Sequence, residues 1–219
     1  MFHSYFKEFV QILPLFFRGL WMTVQISFIS LILATIVGFI AGILRVSKNK
    51  FIQSIIGIYV FFIRGTPFVV QIFIVFFIFP DWGIQMDAFT AAVFAMTVMG
   101  GGFVCEIVAG GITAVDRGQW ESSISSGLTV VQTLRSVIIP QAMKTILPPL
   151  VGEYVLLIKD SSVVSVIGVM DLTRVGWVTV VRIPEGLMVF SLVGILYFAI
   201  SYPLILLSNY LEKRMAVGV

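Results

Sequence analysis

Five ionisable residues stand in stretches that are otherwise strongly apolar: Arg64, Glu106, Glu153, Lys159 and Asp160. A charge at the centre of a membrane span costs about 2.5–3.5 kcal/mol on insertion scales, so such residues face a polar cavity, pair with one another or lie near the headgroups. Glu153 and Asp160 are seven apart, which sets them within about 20° of the same helix face. Leu156 and Leu157 lie between them, so the stripe is not wholly polar. Two carboxylates on one face can line a polar path and attract an ammonium group or a basic side chain. They can equally pair inside the protein with Lys159 or Arg64, merely holding helices together. Both readings are open.

Arg64 opens the run Arg64-Gly65-Thr66-Pro67. It can meet a carboxylate, snorkel to the interface or tie down a broken backbone. Thr66 and the backbone groups freed beside Pro67 are stronger ligand candidates, because irregular backbone at membrane depth survives only where it lines a cavity or is buried in protein. Gly65 and Gln71, beside the same break, complete this part of the substrate-binding set. Glu106 follows Gly100-Gly101-Gly102, which permits close backbone approach, and ligand contact and helix packing are both open for it. No constellation of nucleophile, base and metal supports catalysis. A single cysteine, Cys105, cannot form an internal disulfide or a cysteine metal cluster, and with one histidine, His3, metal chemistry is not expected.

The elements that must position these residues are membrane spans. Hydrophobic residues make up 59% of the chain and charged residues 11%, with a mean hydropathy of +1.07. A soluble domain is nearer half apolar and a quarter charged, and a chain this apolar cannot cover itself with polar surface in water. Gaps of 26 uncharged residues separate Arg18 from Arg45 and Glu185 from Glu212, and one of 18 separates Asp87 from Glu106. A spanning helix needs about 20.

The expected architecture is all-α: one transmembrane domain over 1–219, with five spans at about 20–44, 51–79, 88–111, 145–166 and 187–211. At full helical rise the second would be roughly 43 Å long, more than the bilayer core requires, and a break near 64–67 resolves the excess. No small-residue cleavage site follows the first span, which reads as a retained anchor rather than a signal peptide.

Orientation follows from the basic residues. An N-outside, C-cytoplasmic arrangement places eight on the cytoplasmic side: Arg45, Lys48, Lys50, Arg117, Arg135, Lys144, Lys213 and Arg214. The other side then holds four: Lys7, Arg18, Arg174 and Arg182. That asymmetry is the positive-inside pattern. The net charge of +3 is scattered along the chain, which argues against a nucleic-acid partner.

The loop of about 116–144 is the longest polar stretch. Asp116-Arg117-Gly118-Gln119 and Thr129-Val130-Val131-Gln132 both have capping-box spacing. A short helix through Trp120 to Ile124 would end at Gly127, and a second would stop before Pro140. Such a helix either lies on the headgroups or docks a cytoplasmic partner.

Glu121-Ser122-Ser123, then Gly127 and Pro140, resembles the cytoplasmic signature of binding-protein-dependent ABC import permeases, with Ser-Ser where Ala-Ala is usual. Arg64-Gly65-Thr66-Pro67 with Gln71, Gly118-Gln119-Trp120-Glu121, Gln132-Thr133-Leu134-Arg135, Ile139-Pro140-Gln141-Ala142 and Lys159-Asp160-Ser161-Ser162 are similar to the polar amino acid branch of that family.

The resemblance implies a permease subunit of a bacterial inner membrane, with Trp120, Glu121, Ser122, Ser123 and Gly127 forming the coupling segment. Its implied partners are a dimer of cytoplasmic ABC ATPases, an extracytoplasmic solute-binding protein and a second permease subunit, expected to be an identical copy. The implied solute is a polar amino acid. The chain itself binds no cofactor on this reading, and ATP and Mg belong to the ATPase. The sequence agrees independently, since it has no Gly-Lys dipeptide and hence no phosphate-cradling loop. The two carboxylates point to basic solutes such as arginine, lysine or histidine. A secondary transporter using those carboxylates for proton coupling is the alternative, and the lack of an inverted repeat argues against it.

Overall fold

The computed structural model describes residues 2–183 and 185–216, with side chains from residue 11 to 215 apart from 184. Expectations that rest on His3 and Lys7 lie outside the described side chains.

Helix α1 (Phe2–Arg45) is 44 residues long and starts well before Leu20. A turn closed by Ser47 N–H on the Leu44 carbonyl leads to Asn49. The Asn49 side chain accepts from the Phe51 and Ile52 amides and so starts α2 (Lys50–Gly65). Pro67 then decides the local geometry. A residue before proline is pushed out of the helical region, and Thr66 is extended at φ −123°, ψ 143°. Helix α3 (Phe68–Phe73) begins after it, continuing through a π turn (Ile74–Ile78) and a 3-10 turn (Phe79–Trp82). The axes before and after the break differ by 109°.

Asp87 caps α4 (Ala88–Thr113). Two short helices follow, α5 (Arg117–Ser125) and α6 (Val130–Thr133). Then come α7 (Ile139–Asp160), a 3-10 segment (Ser161–Ile167), α8 (Leu172–Arg182) and α9 (Gly186–Ala216). The stop expected before Pro140 does not occur. Residues Leu134–Ile138 form a π turn in which the Ile139 N–H bonds to the Leu134 carbonyl. The bonding register is therefore already in transition when Pro140, which has no N–H to give, enters the first turn of α7.

Among the described residues, Gln11–Arg45, Ala88–Thr113 and Gly186–Met215 are long and apolar enough to cross a membrane, and the bent pair of 50–65 and 68–82 makes a fourth candidate. Helix α7 is 22 residues long but carries Lys144, Glu153, Lys159 and Asp160, which lower its hydropathy. The protein is thus an all-helical membrane protein with three to four spans by length and composition.

Close packing centres on α4. A methyl added at Gly38 or Gly42 of α1 would collide with Val104 or Val108, so these glycines let the two backbones meet as small residues do in membrane helix pairs. The three successive glycines of α4 serve different neighbours: Gly100 faces Leu157 and Ala34, Gly101 faces Tyr59 and Val37, and Gly102 faces Ile63. A hub without side chains holds α1, α2 and α7 at once.

Candidate functional site

The break between α2 and α3 frees backbone carbonyls, and Gln71 takes them up. Its amide nitrogen donates to the Ile63 carbonyl at 2.9 Å and the Thr66 carbonyl at 3.1 Å, and lies 3.0 Å from Thr66 Oγ1. The Thr66 hydroxyl donates to the Phe62 carbonyl at 2.8 Å. Gln71 is buried, so its side chain turns inward and clamps the bend. Gly65 lies in the open, with no atom within 4 Å of an added Cβ.

Arg64, one residue before the break, reaches Glu106. Arg64 Nη1 lies 2.7 Å from Glu106 Oε2, and Arg45 Nη2 lies 2.9 Å from Oε1. One carboxylate therefore bridges two guanidiniums, from the end of α1 and the end of α2. Arg45 was legible in the sequence only as a topological charge. It joins the cluster because Gly42 packs against Val108 and brings the end of α1 alongside α4.

Glu153 and Asp160 lie on α7, half-buried and without an ion pair within 4.0 Å among the described residues. Their position relative to Glu106 follows from helix register. Methyls added at Gly100 and Gly111 would meet Leu157 and Ile146 respectively. Helices α4 and α7 therefore run antiparallel, and Glu153 lies level with Val104, less than a turn from Glu106. Thr35 Oγ1 and Tyr154 OH are 2.8 Å apart, which puts α1 on one side of the α4–α7 pair. At 3.6 residues per turn, Glu106, Gly110 and Thr113 project from the opposite side of α4. Glu153, Leu156 and Asp160 project from that same side of α7.

The far wall of this trough is α2. It is held to α4 by Tyr59, whose hydroxyl donates to the Val98 carbonyl at 2.6 Å. A groove of ≈350 Å³ lies where Gly57, Phe61, Arg64 and Gly65 meet Arg45 and Glu106. Of the candidate set, Arg64 and Glu106 meet in this groove, Glu153 projects from the same side of α7 close to the level of Glu106, and Asp160 lies about two and a half turns from that level. Thr66 and Gln71 do not line this groove; their side chains are committed to the backbone of the break.

The second candidate region is α5. Asp116 caps it by accepting from the Gly118 amide. Gln119 does not reach back as the capping-box spacing suggested, because its Oε1 accepts from Gln141 of α7 at 3.2 Å. The Thr129–Gln132 box is complete. At the end of α5, Gly127 has φ +86°. Its N–H bonds to the Ile124 carbonyl, and the Leu128 N–H bonds to the Ser123 carbonyl, the pairing of a Schellman stop. Ser123 is buried and its hydroxyl donates to the Gln119 carbonyl at 2.6 Å. Trp120 packs against the cluster of Val104, Val108 and Ile112. Glu121, Ser122 and Gly127 are exposed.

Residues 34–217 match the family described as binding-protein-dependent transport system inner membrane component. The chain belongs to this family. Among similar proteins, the probable glutamine ABC transporter permease protein GlnP of Bacillus subtilis (strain 168) is 35% identical over 90% of the permease and 91% of its own length. The L-cystine transport system permease protein TcyB of the same organism is 34% identical over 92% of the permease and 87% of its own length. The glutamine transport system permease protein GlnP of Escherichia coli (strain K12) is 33% identical over 94% of both chains.

A crystal structure of an amino acid ABC transporter with histidines superposes with a TM-score of 0.86 at 34% identity, covering 95% of the permease and 98% of that chain. A MetNI methionine ABC transporter chain in an inward-facing conformation shares the fold at a TM-score of 0.77 and 19% identity, over 94% of the permease and 98% of that chain. The protein is a multi-pass inner-membrane permease subunit of an ABC importer for polar amino acids. It is not itself an enzyme and carries no cofactor; ATP is used by the ATPase partner, and a binding protein belongs to the same system. Family membership sets aside the proton-coupled secondary transporter.

Proposed function

We propose that the trough between α2, α4 and α7 lines the translocation path and that it favours basic amino acids. The observation that carries this reading is the pair Glu153 and Asp160, two carboxylates on one face of α7 with no ion pair among the described residues. Once water is stripped from a zwitterion, each charged end needs a partner. One carboxylate would meet the α-ammonium, leaving the other for a cationic side chain. A neutral amide side chain is the second reading, favoured by relatives named for glutamine transport.

On the same reading α7 is a fifth span, despite its charges, because its polar stripe faces the path rather than lipid. The N-terminus lies outside and the C-terminus in the cytoplasm, as the basic residues suggest. The path is completed by a second permease subunit, an identical copy. Helix α5 presents Glu121, Ser122 and the Gly127 turn to the ATPase dimer, while Trp120 and Ser123 seat the helix on its own chain. Thr66 and Gly65, at the break, border the path beside Arg64.

Uptake competition in proteoliposomes with the native binding protein tests the charge preference, using wild type, Glu153→Gln and Asp160→Asn. Arginine should outcompete glutamine and glutamate in wild type, and the two variants should erode that margin by about tenfold or more, as expected for lost charge pairing. Equal competition by glutamine in wild type, or an unchanged margin in both variants, would overturn it.

A further inference from the structure

Glu106 lies between two guanidiniums at the wall of the groove between α2 and α4. Its two oxygens are divided between Arg45 at 2.9 Å and Arg64 at 2.7 Å. A guanidinium fork can hold a carboxylate with two parallel bonds, yet here each arginine gives a single nitrogen. Arg45 Nη1 is buried without a hydrogen-bond partner. The cluster carries one carboxylate against two cations, an excess of one positive charge. Arg64 keeps 53% of its side-chain surface exposed, and Gly57 and Gly65 line the groove beside it. Nothing lies within 4 Å of a Cβ added at Gly65, so a small ligand can approach the guanidinium closely. On α7, Glu153 stands level with Glu106 to within a turn, and Asp160 lies about two and a half turns from that level.

We propose that Arg45 and Arg64 form the subsite for the substrate's carboxylate, with Glu106 occupying it as an internal stand-in until substrate arrives. The proposal rests on the reading of the trough as the translocation path. The incoming carboxylate displaces Glu106 from Arg64, the more exposed partner, while Glu106 keeps Arg45. The cluster then passes from one excess positive charge to neutrality, and the substrate's ammonium faces the carboxylates of α7. A purely structural staple between α1, α2 and α4 would need neither the excess cation nor the open groove. The arrangement also predicts that the α-carboxylate is obligatory whatever the side chain, because the two walls read opposite ends of the zwitterion.

The test is direct binding to the detergent-solubilised complex of permease and ATPase without the binding protein. The probes are radiolabelled L-arginine, L-glutamine and their α-amides. Glu106→Gln removes the internal competitor and should tighten binding of the amino acid about fivefold or more, since self-occupancy lowers apparent affinity in proportion. Arg64→Gln, which leaves the Arg45–Glu106 pair intact, should weaken it about tenfold or more through the lost charge-assisted contact. The α-amides should bind weakly to wild type and respond to neither change. Unchanged or weaker binding in Glu106→Gln, unchanged binding in Arg64→Gln, or α-amides that bind as well as the acids would each overturn the subsite while leaving the path reading intact. A wild-type complex that binds neither amino acid would overturn both.

Discussion

Gln71 shows how one side chain can hold a broken span. Its amide nitrogen reaches the carbonyls of Ile63 and Thr66, on either side of the point where the helix stops. In lipid those carbonyls have no water to fall back on. Gln71→Leu keeps the volume but removes the donors, and leaving a buried acceptor unsatisfied costs about 1–3 kcal/mol per group. The variant should therefore unfold at lower temperature in detergent and import more slowly. A melting curve and transport rate matching wild type would show that the bend does not depend on the clamp. The residue's type suggested a substrate contact, but its burial and bond partners give it to the backbone instead.

At the scale of the element, α5 is defined by its two ends. Asp116 starts it, and the Schellman pairing around Gly127 stops it and turns the chain toward α6. Gly127 needs its positive φ of +86°, a region that costs an ordinary residue roughly 1–2 kcal/mol. Gly127→Val should loosen that turn, and Glu121→Lys should reverse charge on the exposed face, without preventing membrane insertion. ATP hydrolysis in the reconstituted complex would then lose its response to binding protein and solute in both variants, and import would fall with it. Normal import rates in both would remove α5 from the coupling route. The bond from Gln141 to Gln119 matters here too, because it ties α5 to the same helix that carries Glu153 and Asp160.

For the whole molecule, one face is the difficulty. Arg64 and Glu106 line one groove, Glu153 and Asp160 project from the same side of α7, and charges at membrane depth are costly to expose to lipid. A second copy of the chain across that trough would enclose the charges in a shared aqueous path. Native mass spectrometry of the complex should accordingly find two copies of this permease with two ATPase subunits. A single copy, with or without a different permease chain, would rule out the symmetric arrangement.

What the sequence determined by itself was local or compositional. Hydropathy and charge gaps established a helical membrane protein. Pro67 and the extended residue before it carry the break, Thr129 and Gln132 carry a helix start, and the runs around Glu121 and Arg64 carry the family. Each of these depends on residues within a few positions of one another, so spacing suffices. Tertiary structure decided the rest. Arg45 became a partner of Glu106 only because Gly38 and Gly42 let α1 lie flat on α4. Gln119 abandoned its expected cap for Gln141, and a π turn carried the helix through Pro140. Whether Glu153 and Asp160 share a side with Glu106 depends on the antiparallel register of α4 and α7. That register is set by which glycine meets which leucine or isoleucine, a fit between surfaces distant in sequence that no local pattern encodes.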